Sequence, residues 1–134
     1  MKNLLLYLLL WSITIGCGNS GELKQTYFPD GSIETEITYV DGLKNGPFVY
    51  YNNKGGKWKE GVFTKDSLDG LLIFYSMNGI DTNRTALYRN GELLETTEEI
   101  DHKGEKIKIK SDYKNKLTII YGKSGRIDTT IKMK

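Results

Sequence analysis

The sequence predicts an all-β chain: an elongated, single-layer antiparallel sheet of consecutive β-hairpins, after an N-terminal helical signal segment. Three observations predict it. An aromatic residue precedes Gly by four positions at Tyr27–Gly31, Tyr51–Gly55 and Tyr75–Gly79, and the copies lie 24 residues apart. A second aromatic follows the first by twelve residues at Tyr39 and Phe63, and by thirteen at Tyr88. Each copy carries turn chemistry, as in Phe28-Pro29-Asp30-Gly31 and Asn52-Asn53-Lys54-Gly55. A fixed period of this size points to stacked supersecondary units.

The elements follow in order. Residues 33–40 alternate, with Ile33, Ile37 and Tyr39 on one face and Glu34 and Glu36 on the other. Period-two alternation marks a strand with one buried face. Asp41-Gly42 and Asn45-Gly46 supply residues that accept the positive φ of tight turns. Pro47 opens the next strand, where a missing N–H does least harm. Phe48-Val49-Tyr50-Tyr51 is aromatic and β-branched, and so favours a strand. The second unit reads as strand 58–64, a turn at Asp69-Gly70, and strand 71–76. The third reads as strand 81–88, a turn at Asn90-Gly91, and strand 92–97.

Beyond residue 100 the repeat decays, as terminal units of an array do when they cap an open end. Asp101-His102-Lys103-Gly104 stands where a fourth turn belongs, and Tyr121-Gly122-Lys123-Ser124-Gly125 restores the aromatic-to-Gly spacing. Strands are expected at 105–110, 117–121 and 126–133, and no helix after residue 20. The aromatic side chains are expected to stack within the sheet.

This pattern resembles the bacterial MORN-repeat variant family. Its units run Tyr-Tyr-x-x-Gly, then a Glu-Gly-x-Tyr-like strand, then a Gly-bearing turn. The matching residues are Tyr27 and Gly31 with Tyr39 and Gly42, then Tyr50-Tyr51 and Gly55 with Glu60-Gly61-Val62-Phe63. The third set is Phe74-Tyr75 and Gly79 with Tyr88 and Gly91. Asp66 stands where the pattern places Gly, and Tyr88 falls one residue late. The resemblance covers residues 24 to 95 and implies a ribbon of hairpins. The family's roles are varied, and some members are described as antitoxins, so fold does not fix function.

The N-terminus carries targeting information. Met1-Lys2-Asn3 is a positive n-region, and residues 4–15 form an apolar run too short for a transmembrane helix. The run ends at Thr14-Ile15-Gly16-Cys17, which resembles a bacterial lipobox, although Thr14 stands where Leu is usual. Residues 1–16 are therefore expected to be a signal peptide and Cys17 the lipidated first residue. Residues 17–22 read as a polar tether, and 23–134 as the repeat domain. Cys17 is the chain's single cysteine, so no internal disulfide is available. Gly18, in place of Asp, leans toward the outer membrane of the envelope.

Charge is segregated. Residues 17–102 carry 8 basic and 14 acidic side chains, and residues 103–134 carry 10 and 3. Lys106, Lys108 and Lys110 alternate with Ile107 and Ile109 on one strand face, and Lys114 and Lys116 add to the basic end. These five lysines are candidates for an anionic partner such as phospholipid head groups; a lysine-guarded sheet edge is the structural alternative. Nucleic acid is not an expected partner of an exported lipoprotein.

Signs of catalysis are few. His102, the one histidine, lies in a turn between Asp101 and Lys103, and no Cys/His cluster suits zinc. Carboxylates at Glu34/Glu36, Asp66/Asp69 and Glu98/Glu99/Asp101 lack calcium-loop spacing. The glycines punctuate turns and form no phosphate loop. No cofactor or metal is expected. The sequence thus reads as a non-catalytic binding or scaffold module anchored at the bacterial envelope, with a protein or glycan partner. The alternative is an antitoxin or immunity-like protein that neutralises a toxin.

Overall fold

The computed structural model describes residues 21–134, and every regular element among them is a β-strand. The signal segment and Cys17 lie outside the described residues. The strands are β1 (Glu22–Tyr27), β2 (Ile33–Val40), β3 (Leu43–Tyr51), β4 (Lys57–Thr64), β5 (Ser67–Leu68), β6 (Gly70–Tyr75), β7 (Thr82–Arg89), β8 (Glu92–His102), β9 (Glu105–Asp112), β10 (Leu117–Tyr121) and β11 (Ile127–Lys132). They form one open antiparallel sheet in chain order, with β5 pairing beside β6 on β4. Apart from β5, each strand pairs with the next one along the chain, as consecutive hairpins require. Among the described residues the sheet therefore ends in two edge strands, β1 and β11.

The turns alternate between the two long sides of this ribbon. On one side the aromatic-to-Gly motif closes the same turn four times. Phe28 N–H donates to Ser32 C=O at 2.8 Å, Asn52 to Gly56 at 2.8 Å, Ser76 to Asp81 at 2.7 Å, and Gly122 to Arg126 at 3.0 Å. Gly31, Gly55, Gly79 and Gly125 occupy the left-handed position, at φ between 71° and 86°. The third turn spans one residue more than the others, which accounts for the late Tyr88. The degenerate-looking motif at Tyr121–Gly125 is thus a full copy of the turn. Lys103-Gly104 lies on this same side but is a different device. His102 pairs with Glu105, and both central residues have positive φ, 55° and 81°. That is the two-residue hairpin turn whose twist matches the strands.

On the other side Asp41-Gly42 and Asn90-Gly91 form two-residue turns, as expected. Two expectations are corrected here. The second unit turns at Lys65-Asp66, not at Asp69-Gly70. Thr64 pairs with Ser67, and Lys65 and Asp66 hold φ of 48° and 66°. Asp tolerates this region better than most residues, and Asp66 is held there from outside. Its carboxylate accepts from Lys44 N–H at 2.8 Å, and its own N–H donates to Lys44 C=O at 2.9 Å. Nor is Asn45-Gly46 a turn. Gly46 lies inside β3 at φ 128°, just as Gly70 lies at the start of β6 at φ 110°. Both glycines relieve irregular pairing within a strand rather than reverse the chain.

The buried centre is small. Ile37, Phe48, Leu72 and Ala86 form it, with Tyr39, Tyr50, Phe63, Phe74, Tyr88 and Leu93 packed around them. Ile37 lies opposite Phe48, and Leu72 opposite Ala86, so these pairs share one face of the sheet. Phe48 is 3% exposed, and burying such a ring contributes about 2 kcal/mol. Its ring lies over Gly61, where a Cβ would stand 3.1 Å from Phe48 Cε1. Toward the C-terminus the face turns polar. Ala86 lies opposite Thr96, Thr96 opposite Ser111, and Ser111 opposite Thr118, with 3.1 Å between the last two hydroxyls.

The second and third turns on the motif side touch through glycine backbone. A Cβ on Gly79 would lie 2.5 Å from Gly56 Cα, whereas one on Gly31 would meet nothing within 4 Å. Both residues are left-handed, so alanine strains both. Gly79→Ala is therefore expected to cost about 2 kcal/mol more than Gly31→Ala. Denaturant unfolding of the two variants checks this, and equal losses would refute the close packing of adjacent turns.

Candidate functional site

The two aromatics of each repeat face opposite ways. Tyr39, Phe63 and Tyr88 pack against the buried cluster. Tyr50 and Phe74 do so as well, so their strand neighbours Tyr51 and Tyr75 point to the other face. There each phenol finds a carboxylate. Tyr51 OH donates to Glu36 Oε2 at 2.8 Å, and Tyr75 OH donates to Glu60 Oε1. Lys57 Nζ completes the second pair, 2.6 Å from Glu60 Oε2. Tyr27 lies in β1, the first strand among the described residues. Its hydroxyl donates to Gln25 of its own strand at 2.8 Å, and the ring is 56% exposed.

These bonds perturb the groups that make them. The Lys57 ammonium, and then the Tyr75 hydroxyl, hold the Glu60 carboxyl below its usual range. Bonding to Glu60 raises Tyr75 and Lys57, and bonding to Glu36 raises Tyr51, because each favours the protonated partner.

A second regularity shapes the motif side. Just past each turn glycine one residue is doubled out of the ladder, and a β-bulge results. Thr26 and Tyr27 pair with Thr35 and Ile33, leaving out Glu34. Tyr50 and Tyr51 pair with Lys59 and Lys57, leaving out Trp58. Phe74 and Tyr75 pair with Arg84 and Thr82, leaving out Asn83. Asp128 is left out in the same way in the last hairpin. Bulges re-aim the side chains they carry.

Between the first three bulges the surface sinks into an open groove of about 610 Å³. Tyr50, Tyr51, Trp58, Tyr75 and Met77 supply apolar walls, and Glu34, Asn52, Asn53 and Asn83 supply polar groups. Trp58 is 51% exposed and Met77 86%. Lys59 Nζ sits 4.7 Å from the Trp58 ring and 4.5 Å from that of Tyr50, which steadies both rings. Asn52 is committed to the turn, since its Oδ1 accepts from Lys54 and Gly56 N–H at 2.9 and 3.0 Å. Rigid aromatic walls with a few amides and a carboxylate suit a ligand that has both apolar and hydrogen-bonding surface.

The lysines separate into two places. Lys106, Lys108 and Lys110 share one face of β9, beside a groove of about 520 Å³ that also takes in Tyr121 and Lys123. Acidic residues stand across from two of them: Lys106 lies opposite Asp101, and Lys108 opposite Glu99. Lys110 lies 2.6 Å from Glu95, and the pairing raises its pKa. Lys114 and Lys116 lie in the turn between β9 and β10, on the ribbon's other side. His102 ends β8 next to its two-residue turn and is exposed.

Among the repeat residues, the structure gathers Tyr51, Tyr75 and their turns around the first groove. Tyr39, Phe63 and Tyr88 are not among its walls and pack on the buried cluster, as Tyr50 also does. Trp58, Met77, Asn83 and Glu34 are groove residues that the repeat pattern passes over. For Glu34, Trp58 and Asn83 the signal is positional, three or four residues beyond Gly31, Gly55 and Gly79, whereas Met77 lies two residues before Gly79. The chain has no match among protein-family models, curated proteins or solved structures.

The Glu60 carboxylate generates a pH prediction. Its folded pKa lies below the ordinary 4.5, so its stabilisation is complete above that pH and is lost as pH falls through the folded value. The raised tyrosines act at the other end: their contribution is whole below pH 10.0 and fades above it. Glu60→Gln is expected to lower stability at neutral pH by about 1 kcal/mol, since the group is partly screened. It is also expected to flatten the acid limb of a melting-temperature profile against pH. An unchanged acid limb would show that Glu60 does not drive it.

Proposed function

We propose that this chain is an envelope-anchored lipoprotein of MORN-like repeats that works as a non-catalytic binding or scaffold module. The aromatic groove is the observation that carries the reading. A single-layer sheet leaves most of its surface to solvent, yet Trp58 and Met77 are held out beside an ordered row of tyrosines, and such anchors dominate recognition surfaces. A protein or glycan partner docks there, with Asn53, Asn83 and Glu34 setting its orientation. The lipobox-like Cys17 tethers the module, so the partner is met at the membrane surface. The lysine face of β9 is the place for an accompanying contact with anionic lipid, tempered by the acidic residues of β8 opposite.

Two measurements test this. The intact mass and membrane partitioning of the chain are compared with those of Cys17→Ala. The expected result is an acylated chain beginning at Cys17, and a variant lacking both acyl mass and membrane attachment. A soluble wild type that starts elsewhere refutes the anchor. Crosslinking in membranes then identifies the partner. Trp58→Ala is expected to weaken its capture by about tenfold or more, at unchanged melting temperature. Undiminished capture by that variant refutes the groove.

A further inference from the structure

We propose that the ribbon lengthens by adding copies of itself, the β11 edge of one molecule pairing with the β1 edge of the next. Three observations meet in this assignment. The first is strand polarity. Ten strands form the continuous path of the sheet, and every step along it is antiparallel. An even number of alternating strands leaves β1 and β11 running in opposite directions. A second copy placed beyond the end, in the same orientation, therefore sets its β11 antiparallel to β1. The ladder then continues without inverting the sheet.

The second observation is the condition of the edges. All six residues of β1 and all six of β11 are exposed. Among the described residues no strand lies beside the outer main-chain groups of either, which makes each a template for pairing. Neither strand contains proline, and each carries a single lysine, Lys24 and Lys132. Each also holds out two large apolar side chains: Leu23 and Tyr27 are 57% and 56% exposed, and Ile127 and Ile131 are 60% and 50%. Pairing the edges would shield the flanks of all four.

The third is charge, which selects among the possible pairings. The β1–β2 hairpin, residues 22–40, carries Glu22, Asp30, Glu34 and Glu36 against Lys24 alone. The β10–β11 hairpin, residues 117–132, carries Lys123, Arg126 and Lys132 against Asp128 alone. Joining β1 to β1, or β11 to β11, sets like charges together, whereas β11 to β1 sets opposite charges together. The contact is heterologous, so it propagates into a linear array unless the twist closes it. An array of tethered copies would multiply the groove along one face.

The test uses the full chain in detergent solution, followed by sedimentation and crosslinking. One variant blocks the first edge, Leu23→Lys with Gln25→Lys. Another blocks the last, Ile131→Glu with Lys132→Glu. All four positions are exposed, so circular dichroism should report an unchanged fold. The wild type is expected to form a ladder of species that grows with concentration and recedes as salt rises. Each blocked variant alone should be monomeric, and an equimolar mixture of the two should stop at a dimer, because one free edge of each kind remains. A wild type that stays monomeric overturns the proposal. So does a blocked variant that dimerises by itself, since that shows a symmetric contact.

Discussion

A sheet with no second layer has to bury its face against itself, and the rest of this structure depends on how it does so. The solution is a large ring laid over a missing side chain. Phe48 spreads across Gly61 and meets Ile37 on its other flank, while Phe63 lies 4.5 Å away, ring centre to ring centre. Leu72 and Ala86 continue the face as a large and small pair. Cations finish the cover: Lys44 lies over Phe63 and Arg84 over Phe74, so aliphatic stems shield surface that a second sheet would otherwise hide. Because the cluster is thin, the turns and hydroxyl bonds around it carry a larger share of the order than they would in a globular core.

That division of labour explains why the repeat holds two aromatics and not one. The second aromatic of each unit fills the buried face. The first lies on the opposite face, where no core exists, and Tyr51 and Tyr75 are held there through their hydroxyls to a glutamate on the preceding strand. The consequence reaches function. Tyrosines fixed at both ends make stiff walls, and the bulge beside each turn adds one re-aimed side chain. The groove is thus a by-product of how the repeat stabilises itself, and its chemistry varies with the bulge residue: Glu34, Trp58, then Asn83.

The C-terminal hairpins keep the backbone plan but change its chemistry. The buried row of Ile37, Phe48, Leu72 and Ala86 passes into Thr96, Ser111 and Thr118, and apolar packing gives way to hydroxyl contacts. The glutamate site changes too. Glu36 and Glu60 lie opposite Val49 and Ile73, each two residues before a motif tyrosine. The matching position opposite Ile119 is Lys110, which turns instead to Glu95. The acidic and basic ends of the chain are therefore the two ends of one repeating scheme, and they become its two open edges.

The sequence by itself determined the class of fold, because period-two alternation and glycine-bearing turns are local properties of the chain. Asp41-Gly42, Asn90-Gly91 and the four aromatic-to-Gly turns could be read directly, since each needs a left-handed residue at a fixed offset. Only the tertiary structure decided where the second unit reverses. Lys65 and Asp66 have no glycine to mark them, and Asp66 is held in its turn by Lys44, 22 residues earlier. The same holds for the groove. Trp58 and Asn83 look like ordinary strand positions until pairing with the neighbouring strand leaves each without a partner. The lysines of β9 formed a face in the sequence, but the acids opposite them became visible only when β8 was laid alongside. Alternation and turns are written within a few residues, whereas bulges, charge pairing and the choice of face depend on which strand lies next door.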